Sequence, residues 1–374
     1  MTFDKLILEA SSRGASDIHL RADHVPLVRV DGALERWTHV APISGAALEA
    51  VATRVLSPLH QVRLQTKMEV DVAWQAAGVG RIRASVFRQR GTIAVSMRLI
   101  PANVPTPESL GLPASVIDLA GESRGLILVT GATGSGKSTT LASLVGRINQ
   151  MRALHILTIE DPIEFVHNDQ KAVVTQREVG FDTLEYAAGL RSALRQDPDV
   201  ILIGEMRDME TIETALIAAE TGHLVLSTLH TLDAPETINR IIAVFPPHQQ
   251  NQVRHQLSRV LKAAVSQRLM PRADGRGRVL ACEVMIATGL IRDCIADAEK
   301  TSGLAQAIVQ GATQYGMQSF DQAILKLCKD EQVTVEEATQ WVTNVEEFKM
   351  RLRGITPGSA TAPVGKTDIQ RFGT

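Results

Sequence analysis

Cysteine is scarce. The chain of 374 residues holds three, Cys282, Cys294 and Cys328, and no two of them form a Cys-x-x-Cys pair. That excludes a zinc cluster and leaves free buried thiols in a reducing compartment as the expectation. An excess of one charge is missing too. Lys plus Arg number 39 against 41 Asp plus Glu, a net charge of -2, so no global field steers the chain to nucleic acid or to an anionic membrane. No window approaches about 18 uncharged apolar residues, which argues against a transmembrane helix. The first residues reach no long apolar segment of the kind a secretory leader needs. The expected location is the cytoplasm. Apolar residues still make up 44%, and the length suits two or three domains with real cores.

What is present is organised around residues 126–140. An apolar run, 126–129, leads into G-x-x-x-x-G-K-S at 131–138, and a helix-compatible segment follows. Strand, phosphate loop and helix in that order define a P-loop nucleotide site. Gly131, Gly134 and Gly136 let backbone N–H groups turn inward on phosphate oxygens. Thr133, Ser135 and Thr139 share that lining. Lys137 supplies a point charge to the β- and γ-phosphates, and Ser138 offers a hydroxyl to Mg²⁺. The positive end of the helix faces the same phosphates. A nucleoside triphosphate with Mg²⁺ is therefore the expected ligand.

Before the loop, residues 1–100 read as a small α+β domain. A short amphipathic helix at 3–12 leads to strands at 16–20 and 25–30, and Asp31-Gly32 marks a turn to a returning strand. Helices near 44–56 and 61–67 precede strands at 70–75, 81–88 and 92–99. Residues 101–113 carry four prolines and read as a stiff linker. From 114 onward, strands at 126–130, 154–159, 200–203 and 224–228 alternate with helices near 137–149, 183–195 and 208–220. That alternation is the signature of a parallel α/β sheet. A helix at 235–245, a longer one at 248–267, a strand at 279–286 and a helical region at 288–352 complete the domain. Residues 355–374 lack a periodic apolar face and read as a disordered tail.

Parallel α/β folds bind ligands at the carboxyl ends of their strands, and polar residues gather there. Strand 154–159 ends in Glu160 and Asp161, with Glu164 close behind. Strand 200–203 ends in Gly204-Glu205, so the aspartate usual before such a glutamate is absent. Glu205 is the candidate for orienting the attacking water. His230 closes strand 224–228 and can sense a γ-phosphate; His223, at its start, either serves the nucleotide or supports the strand. Arg191 and Arg195 share a helix face, as phosphate ligands or as helix-dipole stabilisers. In strands 81–98, Arg81, Arg83, Arg88, Arg90 and Arg98 have no acid between them. They form either a solvated sheet face or a set aimed at phosphate. A base-stacking platform does not fit, because Phe87 is the sole aromatic of that pair.

Taken together, four stretches resemble the secretion-type ATPases of the GspE/PilT superfamily, and closely the PilT and PilU twitching-motility motors. They are GATGSGKS at 131–138, LTIEDPIEF at 157–165, DPDVILIGEMRD at 197–208 and TGHLVLSTLHT at 221–231. The resemblance implies a PAS-like N-terminal domain, a RecA-like ATPase domain and a ring of six. It implies Glu205 as catalytic glutamate, His230 on the γ-phosphate side, and Arg83 and Arg98 as the N-terminal-domain arginines that approach phosphate. The implied partners are an inner-membrane platform protein at the base of a type IV pilus and a paralogous retraction ATPase, with the chain docked peripherally from the cytoplasm. The absence of extra N-terminal domains and of a four-cysteine insertion favours retraction over assembly. The segment ATGLIRDC at 287–294 matches the C-terminal motif of PilT only in part. Alternatives of other kinds are a nucleic-acid translocase and a nucleotide-dependent regulator.

Overall fold

The computed structural model describes residues 1–30, 32–100 and 103–354. The part of the expected turn at Asp31 and the expected tail at 355–374 lie outside the described residues. Two sheets organise the chain.

The first sheet is antiparallel, in the order β3-β2-β1-β6-β5-β4. Its strands are β1 (Ala15–Arg21), β2 (Leu27–Val30), β3 (Ala33–Arg36), β4 (Glu69–Ala76), β5 (Gly80–Gln89) and β6 (Thr92–Leu99). Period-two alternation points Ile82, Ala84 and Val86 of β5 and Ile93, Val95 and Met97 of β6 into a core, as expected for a sheet with one covered face. Helices α1 (Phe3–Ser12), α2 (Gly45–Val55) and α3 (Pro58–Lys67) accompany that sheet. Ser44 and Ser57 begin the last two; their hydroxyls accept from the Ala47 and His60 backbone N–H groups, satisfying donors the helix itself leaves open.

The second sheet has the order β13-β12-β7-β11-β10-β8-β9. Its strands are β7 (Gly125–Thr130), β8 (His155–Glu160), β9 (Val173–Glu178), β10 (Val200–Ile203), β11 (Leu224–Leu229), β12 (Leu261–Pro271) and β13 (Arg278–Ile286). All pairs are parallel except β12 with β13. Every residue of β7, β10 and β11 is buried, because helices pack on both faces. Short α4 (Ala114–Ile117) precedes β7. The connecting helices are α5 (Lys137–Met151), α6 (Tyr186–Ala193), α7 (Met209–Glu220), α8 (Ala234–Ala243) and α9 (Pro247–Val260). After β13 come α10 (Gly289–Ala296), α11 (Leu304–Gln310), α12 (Ala312–Tyr315), α13 (Phe320–Lys329), α14 (Val335–Trp341) and α15 (Val345–Leu352).

Two elements differ from expectation. The helix expected over 248–267 stops at Val260, and the chain continues as β12. Ala263, Ala264 and Val265 are fully buried between β7 and β13; two-sided burial outweighs the helix preference of an Ala pair. Strand β9 was not expected at all. It is a half-buried edge strand with little apolar signal.

Three successive residues of β12 tie distant parts together. Ser266 Oγ accepts from Thr130 Oγ1 at 3.0 Å. Gln267 Nε2 donates to Thr140 Oγ1 at 2.8 Å. Arg268 donates to the Trp341 carbonyl at 2.9 Å and stacks 3.8 Å over Phe320. The two sheets are joined by Arg81, whose guanidinium bonds the buried Glu178 carboxylate at 2.8 Å. Among the described residues, no helix is long and apolar enough to cross a membrane.

Candidate active site

The phosphate loop lies between the end of β7 and the start of α5. Gly131, Gly134 and Gly136 have φ of 141°, 80° and 94°, a region where side chains are strained. A Cβ on Gly131 would stand 2.5 Å from the Gln267 carbonyl and 2.6 Å from Ser135 Oγ. Helix α5 begins without a side-chain cap and without an acid in its first turn. Its first N–H groups thus remain available to an anion. Lys137 is buried and donates to the Gly131 and Ala132 carbonyls at 2.8 and 3.0 Å. Burial pushes its ammonium below the usual lysine range, against the pull of Glu205 and Glu164. The buried Ser135 hydroxyl has no partner among the described residues. This set of donors, all cationic or neutral, fits a polyphosphate; the exposed Ser138 hydroxyl beside Glu160 and Glu164 fits an oxygen-preferring divalent cation.

A cavity of about 370 Å³ opens over the loop. Thr133, Gly134, Lys137 and Ser138 form one wall; Glu160, Asp161, Glu164, Glu205 and His230 form the wall of strand ends; Arg83 enters from the antiparallel sheet. His230 Nε2 stands 3.2 Å from Glu205 Oε1, and Arg207 bonds Glu205 Oε2 at 2.7 Å. For Glu205, burial works to raise the pKa, but Arg207 and His230 outweigh it and hold the carboxyl below its usual range. Glu160 goes the other way. Burial raises it, although Thr158 Oγ1 and Gln176 Nε2 donate to it at 2.6 and 3.1 Å. Burial thus dominates at one acid, and cationic neighbours dominate at the other.

The remaining sequence candidates fall elsewhere. Ser135 and Gly136 lie within the loop, under the cavity. Thr139 is half-buried in α5. Arg98 is the direct cross-strand partner of Arg83, a costly like-charge pairing; its Nε bonds Asp17 at 2.9 Å and most of its side chain is exposed. His223 sits before β11, at the strand end away from the loop, and its Nδ1 lies 2.9 Å from the Ala218 carbonyl. Arg191 pairs with Glu210 on an outer helix surface, and Arg195 is exposed beside it. None of Arg98, His223, Arg191 or Arg195 lines the cavity.

Sequence reasoning missed four residues. Arg207 follows strand 200–203 within the 197–208 motif, but nothing in the sequence gives it a role. Arg81 was set aside in favour of Arg83, yet it anchors the two sheets to each other; alternation gives a shared face but not the acid that faces it. His167 lines the cavity, and burial lowers its ring to about 4. Tyr186 also lines it, its phenol raised by burial and by Asp161 and Glu205. One of two tyrosines in the chain, it opens helix α6 and gave no motif signal.

A RecA-like mixed α/β core, a phosphate loop and strand-end acids define a P-loop ATPase, and the comparisons with known proteins give the family. The description "Type II/IV secretion system protein" matches residues 1–314. The chain belongs to that family, the GspE/PilT secretion ATPases, and is one of its ATP-hydrolysing motor ATPases. It is PilT-like, of the group implicated in pilus retraction and twitching motility. It is 42% identical to the type IV pilus retraction ATPase PilT of Pseudomonas aeruginosa, over 93% of this chain and 100% of that protein. It is 38% identical to the type IV pilus ATPase PilU of the same organism, over 94% and 92%. Among solved structures, the pilus retraction motor PilT with bound ADP superposes with a TM-score of 0.86 at 46% identity, covering 93% of this chain and 98% of that one. The Legionella pneumophila ATPase DotB gives 0.76 at 29%, over 91% and 95%.

Proposed function

We propose that this chain is the ATP-driven motor of type IV pilus retraction, acting as a ring of six. The observation that carries the reading is the meeting of Lys137, the Glu205–His230 pair and Arg83 in one cavity, on a chain similar to PilT over nearly its whole length. We read the domains as 1–100, a linker at 101–113, and 114–354; the antiparallel order of the first sheet supports the PAS-like reading of the first.

ATP lies with its phosphates on the loop N–H groups and on Lys137. Glu205, held ionised, orients the attacking water and accepts its proton. His230 fixes that carboxylate and faces the γ-phosphate. The Ser138 hydroxyl and acids at 160–164 would hold Mg²⁺, which would supply charge neutralisation for the phosphates. Arg83 stabilises charge that develops on the phosphate oxygens. Arg98, paired with Asp17 on the open face, reaches a phosphate only across a subunit boundary of the ring. Each turnover changes how Arg83 is held and so moves one domain against the other. The ring docks from the cytoplasm on an inner-membrane platform protein, and a second retraction ATPase of the PilU kind is a further partner.

Deletion of the gene, with complementation by wild type or by Glu205→Gln, tests this. Excess surface pili with no twitching, restored only by wild type, is the expected outcome. A cell without pili would make the chain an assembly motor instead. Turnover stimulated by single-stranded DNA and lost steeply with salt would make it a translocase.

A further inference from the structure

Gly204 leaves a gap in the chemistry of this site. P-loop ATPases commonly hold Mg²⁺ with the loop Ser/Thr and an aspartate at the end of a neighbouring strand. Here the strand is β10, and the residue after it is Gly204. A Cβ built there would stand 2.9 Å from the Tyr186 hydroxyl, 3.3 Å from the Ile159 carbonyl and 3.4 Å from the Glu160 Cα. The room that a side chain at 204 would take is thus occupied by a phenol from another element. The glycine is held in place by its neighbours: its N–H donates to the Ile159 carbonyl at 2.8 Å, and its carbonyl accepts from Thr228 Oγ1 at 2.6 Å.

Tyr186 is the first residue of α6, which packs against α7, β8 and β10. Tyr186 lines the cavity together with Ser138, Glu160, Asp161 and Glu205. Its hydroxyl makes no hydrogen bond to protein among the described residues. A phenol differs from a carboxylate in carrying a proton and is the weaker acceptor, but its oxygen can accept a hydrogen bond from water while its O–H donates one to a neighbouring carboxylate. Asp161, Glu205 and Glu160 line the same cavity as the ring and act on it electrostatically.

We propose that the Tyr186 hydroxyl is a positioning group that replaces the side chain missing at 204: its oxygen accepts from a water in the shell of the bound divalent cation, and its O–H donates to a carboxylate at 160–161. The proposal rests on the reading of this cavity as the ATP site. It pairs the two positions: an acid at 204 and a tyrosine at 186 compete for one volume.

Tyr186→Phe removes the hydroxyl and keeps the ring. Calorimetric titration with ADP, with and without Mg²⁺, gives a readout independent of turnover. The expected result is unchanged ADP affinity without the metal and a loss of about tenfold in the affinity Mg²⁺ adds, the scale of one hydrogen bond. Turnover should need severalfold more Mg²⁺ for half-saturation, with kcat falling more than KM rises. Gly204→Ala, whose methyl group must displace the hydroxyl, should reproduce the same metal-specific loss. If Tyr186→Phe keeps wild-type Mg²⁺ dependence in both measurements, the hydroxyl has no such role and the proposal falls. Equal loss with and without the metal would mean a packing role and would also overturn it. Failure of wild type itself to bind ADP would sink the ATP-site reading, a different outcome.

Discussion

The two sheets place chemistry in different ways. The parallel sheet is covered on both faces, so its candidate groups stand where strands end: Glu160, Glu205 and His230 close or follow strands, and Lys137 opens the helix beyond the phosphate loop. The antiparallel sheet is covered on one face, so its functional groups stand on the open face of the strands. Asp17, Arg98, Arg83 and Ala73 form one cross-strand row. The first arrangement gives fixed groups backed by a core. The second gives long cations whose target depends on what the face is pressed against. The site thus combines a rigid half and an adjustable half.

The sharpest test of that division is Glu205→Gln. Turnover should fall at least about 100-fold while fluorescent-nucleotide titration shows binding retained. Arg83→Ala should cost less, about 10- to 100-fold in kcat, measured in the same ATPase assay. A larger loss for Arg83 than for Glu205 would reverse the assignment of the two halves. Glu178→Ala comes next. It removes the buried partner of Arg81 and the acceptor of the Ile163 N–H. Because Arg81 is partly exposed, a loss of roughly 1–3 kcal/mol is expected rather than the full value of a buried pair. Hydrogen exchange should rise in both β5 and the loop at 161–165; a rise in one alone would show that the halves are not joined there.

A smaller effect tests two-sided burial. Glu283 on β13 is buried and accepts the Ala234 N–H at 2.7 Å. Burial and Asp233, together with Asp321, raise its carboxyl to about 7, against that N–H and Arg268. The folded chain keeps this proton where the unfolded chain, near 4.5, has lost it. Its contribution is full below about 4.5 and fades as pH rises to about 7, so stability falls with pH across that window. Glu283→Gln, which keeps an acceptor, should flatten the slope by roughly 1–3 kcal/mol in denaturant titrations. Smallest of all is Arg191→Ala. Its exposed pair with Glu210 should be worth under about 0.5 kcal/mol, with turnover within about twofold. A large drop would place Arg191 at a neighbour's phosphate.

The rigid half was the more legible. Strands such as β7 and β10 are apolar runs because both faces are buried, and the loop motif follows one of them directly. Strand β12 was misread because its Ala pair carries helix preference and only its neighbours make it a strand. On the antiparallel side, alternation identified the open face and its arginines. It could not say that Arg81 meets Glu178, nor that Arg98 meets Asp17, since those partners are about 80 to 100 residues away. Tyr186 was invisible for the same reason. Its role depends on an empty Cβ position at Gly204, which only packing reveals.

Residues 266–268 have a mechanical consequence. One strand touches the base of the phosphate loop, the helix that leaves it and the C-terminal helices at three successive positions, and its backbone leaves no room for even a methyl group at Gly131. Parts in such contact have no slack between them. A continuous run of contacts therefore links the phosphate loop to α13 and α14 through one strand.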